Sequence, residues 1–440
     1  MSRRRRRDPA RTVAYRVLRA VSADGAYANL ELARQRAGLP PADAALATEL
    51  VAGTCRATGS YDRVIEHAAG RRLNTLQPAV VDVLRLGTHQ LLGMRVPSHA
   101  ALATSVDLAA LEVGERVAGL VNAVLRRVAE RDWPGWLEQL GSEEDELGRL
   151  ALATHHPRWI VEASARVLPA AELPEALAAD NTAPVPHLVA RPGLAEVAEL
   201  GGQPARWSPY GAYRDGDPGA VPAVAQGRAG VQDEGSQLVA LALARAAAPA
   251  GPWLDLCAGP GGKSALLAGL ARQQGSRLVA AELQEHRARL VRENLRAYPE
   301  PGRPVALVAD GTRPAWSQGS FARVLADVPC TGLGALRRRP ESRWRRRPSD
   351  LPGLVELQRQ LLASAIEAAA PGGVVAYVTC SPHSEETVQV VAGAQGVSVL
   401  NAAEYLPEVP GAAAGDHVQL WPHRHGTDAM FLALLRRLGG

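Results

Sequence analysis

At 440 residues the chain exceeds what one hydrophobic core ordinarily organises, so two or three domains are expected. Hydrophobic residues make up 47% and aromatics only 4%, so the cores must be built from Ala, Leu and Val, and no run of about 18 apolar residues offers a membrane span. The net charge of +4 suits a polyanionic partner, and the four cysteines contain no CxxC pair, which excludes the common zinc spacings and gives no disulfide framework; no metal is expected.

Met1-Ser2 and the five arginines Arg3 to Arg7 carry no apolar stretch behind them, so no secretory signal is read and a cytoplasmic, monomeric protein with free thiols is expected. The arginine block fits a polyphosphate partner or a solubilising tail, and both readings stay open. Residues 10–130 then read as helices. Leu76, Val80, Val83, Leu84 and Leu91 fall at helical spacing, as do Leu120, Val121, Val124, Leu125 and Val128. This predicts an all-helical domain over residues 1–140. The acidic run from Gly141 to Glu146 reads as a linker, and the Pro/Gly-rich stretch behind it as a small α+β module over 146–235.

From Gly251 short apolar runs alternate with helices. Strands are predicted at Trp253 to Leu256, Leu278 to Ala281, Val305 to Ala309, Val324 to Ala326 and Val374 to Val378. Helices are predicted over Gln284 to Ala297 and Leu354 to Ala370. Such alternation means a parallel, doubly wound α/β domain over 236–440, with ligands beyond the carboxyl ends of the strands.

The first strand runs into Cys257-Ala258-Gly259-Pro260-Gly261-Gly262-Lys263-Ser264. A phosphate loop needs Gly where Cys257 stands, and a nicotinamide loop needs a third Gly where Ser264 stands. A loop that cradles the amino-acid end of S-adenosylmethionine needs neither. Lys263 is the one lysine among the 49 basic residues, which marks it for a specific task. The next three strands end at Glu282, Asp310 and Asp327. Acids closing three successive strands suit a cofactor without phosphates, with Glu282 on the ribose hydroxyls and Asp310 at the adenine edge.

The fourth strand continues to Cys330 and the fifth to Cys380. One cysteine at a strand end is ordinarily a small buried hydrophobe. Two at neighbouring tips, beside Pro329 and Ser381-Pro382, are expected to converge next to a methyl donor. Thiolate addition to C6 of cytosine makes C5 an enamine carbon able to take a methyl group, and Asp327 would then hold the cytosine N3 or amino edge. Amine methyltransferases usually carry a different motif at this strand.

At these residues the chain resembles the bacterial ribosomal RNA cytosine-C5 methyltransferases of the NOL1/NOP2/Sun (Fmu) family, nearest its small-subunit (16S) branch. The matching segments are LDLCAGPGGKS (254–264), DVPCTGLGALRRRPESRWRR (327–346), YVTCSPHSEET (377–387), HGTDAMFLALLRR (425–437) and GVQDEGSQLVA (230–240). VPSHAALATSVDLA (96–109) and GLVNAVLRR (119–127) resemble a NusB-type RNA-binding domain. The resemblance implies a Rossmann-like class I methyltransferase domain, with Cys380 as nucleophile and Cys330 assisting product release. It puts S-adenosyl-L-methionine against Cys257 to Lys263, Glu282, Arg287, Asp310 and Asp327. The chain departs from the family at Glu282, where Asp is usual, at Gly259, where Ala is common, and at Ala429-Met430, where Gly-Phe is usual. Residues 190–193 read Ala-Arg-Pro-Gly without the family's Arg-x-Asn.

A cytosine must be unstacked to reach a thiol, so 16S ribosomal RNA would present it in a loop or flipped out. Arg337, Arg338, Arg339, Arg343 and Arg345 follow Cys330 closely and are expected on phosphates; Trp344 either stacks on a base or packs beneath the loop. Rival readings are a non-catalytic RNA-binding factor, a nicotinamide-dependent dehydrogenase, and the same chemistry on transfer RNA. Intact Cys330, Cys380 and Lys263 oppose the first, and the missing third glycine opposes the second.

Overall fold

The computed structural model describes residues 5–300 and 302–439. Two compact units emerge: one runs to Thr182 and reclaims Leu336–Arg346, and the other comprises Ala183–Ala335 and the chain from Arg347 onward.

The first unit holds α1 (Pro9–Ala23), α2 (Ala28–Gln35), α3 (Pro41–Ala69), α4 (Pro78–Leu92), α5 (Ser98–Glu112), α6 (Glu115–Val128), α7 (Trp133–Gly141), α8 (Glu146–Ala153), α9 (Arg158–Ala165) and α10 (Leu173–Ala179). Their limits follow from capping chemistry. Asp8 accepts from Arg11 N at 3.0 Å ahead of Pro9, and α3 stops at Gly70, whose φ of 66° is left-handed. On α6 the buried residues Val121, Val124, Leu125 and Val128 form the apolar stripe predicted from spacing. They join Leu50, Ile65, Leu84 and Trp136 in one core, where each fully buried aliphatic side chain stabilises by about 1.5–3 kcal/mol.

Two expectations change here. The acidic run is no linker: Asp145 caps α8 by accepting from Gly148 N at 2.8 Å, and the division between units falls after Thr182. The arginine segment after Cys330 also changes role, because residues 336–346 belong to the helical unit. Arg343 is fully buried and donates to His155 O at 2.9 Å, Asn181 Oδ1 at 2.8 Å and Asp180 O at 3.2 Å. His155 supplies its carbonyl from a left-handed φ of 58°. Trp344 Nε1 donates to Arg56 O at 3.0 Å and its ring fills the space a Cβ at Gly59 would need. Arg345 donates to Gly25 O, Val21 O and Ala26 O, capping the carboxyl end of α1, where a cation is favoured. These three side chains hold the unit together, so the expectation that Arg343, Trp344 and Arg345 face RNA is corrected. Arg5 and Arg7 are likewise paired, with Asp107 at 3.1 Å and Glu112 at 3.1 Å. Arg3 and Arg4 lie outside the described residues.

The second unit opens with a four-stranded sheet, β1 (His187–Ala190), β2 (Gln203–Pro204), β3 (Gly211–Tyr213) and β4 (Ala229–Val231), in the order β2-β3-β1-β4. Of the α+β module expected over 146–235, this sheet lies here together with a short helix at Pro222–Ala225 and 3-10 turns at Val197–Leu200 and Pro218–Ala220, while the chain up to Thr182 belongs to the first unit. The main body alternates α11 (Glu234–Arg245), β5 (Trp253–Asp255), α12 (Gly262–Gln273), β6 (Leu278–Glu282), α13 (Glu285–Leu295), β7 (Val305–Val308), β8 (Phe321–Asp327), α14 (Leu351–Ala368) and β9 (Ala369–Thr379). Four further strands follow: β10 (Val397–Leu400), β11 (Ala413–Ala414), β12 (His417–Gln419) and β13 (Phe431–Arg437).

The nine-stranded sheet runs β11-β12-β13-β9-β8-β5-β6-β7, with β10 also on β13. Neighbours from β7 to β9 are parallel, but β13 lies antiparallel to β9, pairing Phe431 with Thr379 and Arg436 with Val374. The sheet is therefore mixed rather than wholly parallel. Phe431 to Leu435 are buried without alternation, so no period of two marked this strand. The strand order reverses between β5 and β8, and a ligand crevice opens at such a switch point. Among the described residues no helix is long and apolar enough to cross a membrane.

Candidate active site

The loop from β5 to α12 carries the first group of residues. Gly261 has φ 108°, and a Cβ there would lie 2.9 Å from Val291 Cα, so glycine is required. At Gly262 a Cβ would meet nothing nearer than Gln232 Cδ at 3.9 Å, which leaves the backbone open to close approach at the amino end of α12. Glu282 Oε2 accepts from Gly259 N at 2.9 Å and Oε1 from Gln284 N at 2.9 Å. A carboxylate has about four acceptor positions, so each oxygen keeps capacity for a ribose hydroxyl. Arg287 donates to Gly259 O and stands 3.8 Å from Glu282, fixing the same turn from α13. Asp310 accepts from Thr312 N at 2.9 Å and Thr312 Oγ1 at 2.7 Å, which hold its carboxyl below the usual carboxylate range.

The loop is braced from behind. Arg191 is buried and donates to Asn294 O and Asn294 Oδ1, both at 2.6 Å, while Asn294 Nδ2 donates to Pro260 O at 2.9 Å. The β1 end thus supports the glycine turn through α13, a structural role for the segment that departs from the family's Arg-x-Asn.

Lys263, on the first turn of α12, reaches Asp327 at the end of β8, with Nζ 2.8 Å from Oδ2. Beneath it Asp255 is fully enclosed and accepts from Ser264 Oγ at 2.6 Å; burial pushes its carboxyl up to about 7.

Cys330 and Cys380 meet beyond β8 and β9 with their sulfurs 3.3 Å apart, unbonded. The hydrogen bond with Cys330 lowers the Cys380 thiol below its ordinary range, and Lys263 adds to this against burial and Asp327. The same contact and burial raise Cys330 well above it. The opposed directions favour ionisation of Cys380 over Cys330. A thiolate, not a thiol, is the nucleophile.

Three loops interlock here. Gly334 N donates to Cys380 O at 2.8 Å, Ala429 N donates to Gly334 O at 2.8 Å, and a Cβ at Gly334 would lie 2.0 Å from Ala429 O. Met430 is buried against Ser236 and Gly235, filling the place the family usually gives to Phe.

The structure thus brings together Cys257 to Lys263, Glu282 and Arg287 on one side, and Lys263, Asp327, Cys330 and Cys380 on the other. Asp310 closes β7 beyond them. Sequence reasoning did not single out Asp255, Thr331, Gln358 or Glu386. Glu386 is fully buried, yet Ser384-Glu385-Glu386 reads in sequence like a solvated acidic turn.

The profile described as "16S rRNA methyltransferase RsmB/F" matches residues 241–436, and that of the NusB family matches residues 8–130. The Mycobacterium tuberculosis protein Rv1407 is 51% identical over 453 residues, covering 99% of this chain and 98% of the relative. The ribosomal RNA small subunit methyltransferase B of Pseudomonas putida is 33% identical, covering 87% of each. Among solved structures, PH0851 superposes with a TM-score of 0.80 at 22% identity over 98% of this chain and 99% of its own, which shows a shared fold. An N-terminal NusB domain followed by a Rossmann-like methyltransferase domain, with relatives of this kind along its whole length, makes the chain a member of the 16S rRNA methyltransferase RsmB/F family.

Proposed function

We propose that the protein methylates C5 of a cytidine in 16S ribosomal RNA, using S-adenosyl-L-methionine, through a covalent adduct on Cys380. The observation that carries this reading is the 3.3 Å approach of Cys380 to Cys330 beside the Lys263–Asp327 pair. S-adenosyl-L-methionine supplies an electrophilic methyl group when bound against residues 257–263, Glu282 and Asp310. The Cys380 thiolate adds to C6 of the flipped cytosine and makes C5 nucleophilic. Asp327 accepts from the exocyclic amino group while Lys263 offsets its charge. Once C5 carries the methyl group, its proton leaves to a base, the C5–C6 double bond reforms, and the bond from C6 to Cys380 breaks. Cys330 assists this release by returning its hydrogen bond to the departing thiolate. Arg337, Arg338 and Arg339 are the residues of the arginine segment proposed to meet RNA phosphates. The protein acts as a cytoplasmic monomer without a metal.

Bisulfite sequencing of 16S ribosomal RNA from cells lacking the protein tests the reading. One cytidine should lose protection and regain it with the wild-type gene but not with Cys380→Ala. An unchanged 5-methylcytosine pattern would refute it.

A further inference from the structure

Behind the two sulfurs lies a buried group with no assigned part in the reaction. Glu386 is fully enclosed in the turn after Cys380. Its Oε1 accepts from Thr331 N at 2.7 Å and from Gln358 Nε2 at 3.0 Å, and its Oε2 accepts from Thr331 Oγ1. Gln358, on α14, also donates to Pro329 O at 2.9 Å. The residues on both sides of Cys330 are therefore held by one bonded pair, Glu386 and Gln358. Thr331 Oγ1 lies 3.1 Å from Ser381 Oγ, directly after Cys380, and Tyr377 OH donates to Glu386 O at 2.7 Å from β9.

We propose that Glu386 is a positioning residue for methyl transfer, clamping the Cys330 loop onto the Cys380 turn so that Cys330 stays the hydrogen-bond donor of the thiol pair. The geometry is one-sided. The side-chain bonds of Glu386 to the two cysteine loops fall on Thr331, the residue after Cys330, while the charges acting on Cys380 are those of Lys263, Asp327 and Asp428. A buried negative charge on the Cys330 side disfavours ionisation there, and Glu386 accordingly contributes to raising that thiol. Lys263 favours ionisation of Cys380 while Asp327 and Asp428 oppose it, and a backbone hydrogen bond from Gly332 favours ionisation of Cys330, so the Glu386 charge works against that last contribution.

The inference rests on the proposed function for its catalytic consequence, but its first test needs no RNA. The full-length protein, in wild-type and Glu386→Gln forms, is treated with iodoacetamide across a pH series, and the Cys330 and Cys380 peptides are quantified by mass spectrometry. Wild-type protein should label Cys380 preferentially at neutral pH. Glu386→Gln, which removes the charge and one acceptor, should raise Cys330 labelling on the order of tenfold relative to Cys380. In methyl-transfer assays kcat should fall by a similar factor with KM for RNA unchanged. Identical labelling ratios and kcat in both proteins would overturn the proposal. Thr331→Val removes the hydroxyl's contacts with Glu386 and Ser381 but leaves the backbone bond to Glu386, and should shift both readouts in the same direction by a smaller factor; it decides the matter if Glu386→Gln does not fold. A shifted labelling ratio in a protein that forms no cytosine adduct would refute the proposed function and leave the clamp standing.

Discussion

A methyl group on residue 259 would sit 2.2 Å from Glu282 Oε2. The two departures from the family's usual pattern thus explain each other. A longer acid at the end of β6 fills the space that an alanine methyl would take, and the shorter acid would leave that space free. Glu282 cannot simply swing aside, because Oε2 accepts from Gly259 N and Oε1 from Gln284 N. Gly259→Ala should weaken S-adenosyl-L-methionine binding by about tenfold in calorimetry. Gly259→Ala combined with Glu282→Asp should recover most of the loss, since residues in contact are not additive. Equal losses in single and double variants would break the link.

Lys263 is kept as lysine in a chain otherwise all arginine at basic positions. A compact ammonium makes a 2.8 Å contact with Asp327 from the first turn of α12 and favours ionisation of Cys380. A planar guanidinium is longer and needs a broader partner. Lys263→Arg should therefore lower kcat by about tenfold or more despite the conserved charge, and Lys263→Met further still. Wild-type turnover by Lys263→Arg would show that charge alone suffices.

The helical unit depends on a segment that sequence placed at the RNA. Arg343→Ala leaves His155 O, Asp180 O and Asn181 Oδ1 without their donor in a fully buried setting. The cost should be roughly 3 kcal/mol, read as a lower thermal midpoint for the helical unit. Arg339→Ala, at an exposed position over Tyr27, should leave that midpoint nearly unchanged and instead reduce the salt dependence of RNA binding.

The thiol pair sets a pH dependence. Cys380 is lowered chiefly by the hydrogen bond with Cys330, so its thiolate persists below the ordinary thiol value of about 8.5. Removing the donor in Cys330→Ala raises Cys380 again, so its alkylation curve should move to higher pH and its rate at pH 7 should fall. A curve that stays in place, measured as above by peptide mass spectrometry, would mean that Lys263 alone tunes the nucleophile.

Much of this site was legible in the sequence because it lies where chain direction and chemistry coincide. The strand ends at Glu282, Asp310 and Asp327, the glycine turn, and the two cysteines are each adjacent in sequence to a predictable element. What stayed hidden was set by contacts across long separations. Nothing local distinguishes Arg343, buried among carbonyls more than 150 positions earlier, from Arg339 on the surface. Glu386 looks like any turn acid until Thr331 and Gln358 close around it. The mixed sheet was missed because β13, packed on both faces, shows no alternation. The division after Thr182 was missed because an acidic cap at Asp145 reads like a linker.

Whether Cys380 attacks and Cys330 releases can be read from one denaturing gel of the two alanine variants incubated with RNA substrate and S-adenosyl-L-methionine. Cys330→Ala should build up a protein–RNA band that survives denaturation, and Cys380→Ala should give neither band nor methylated product. A stable band from Cys380→Ala, or turnover by it, would reverse the assignment of the two sulfurs.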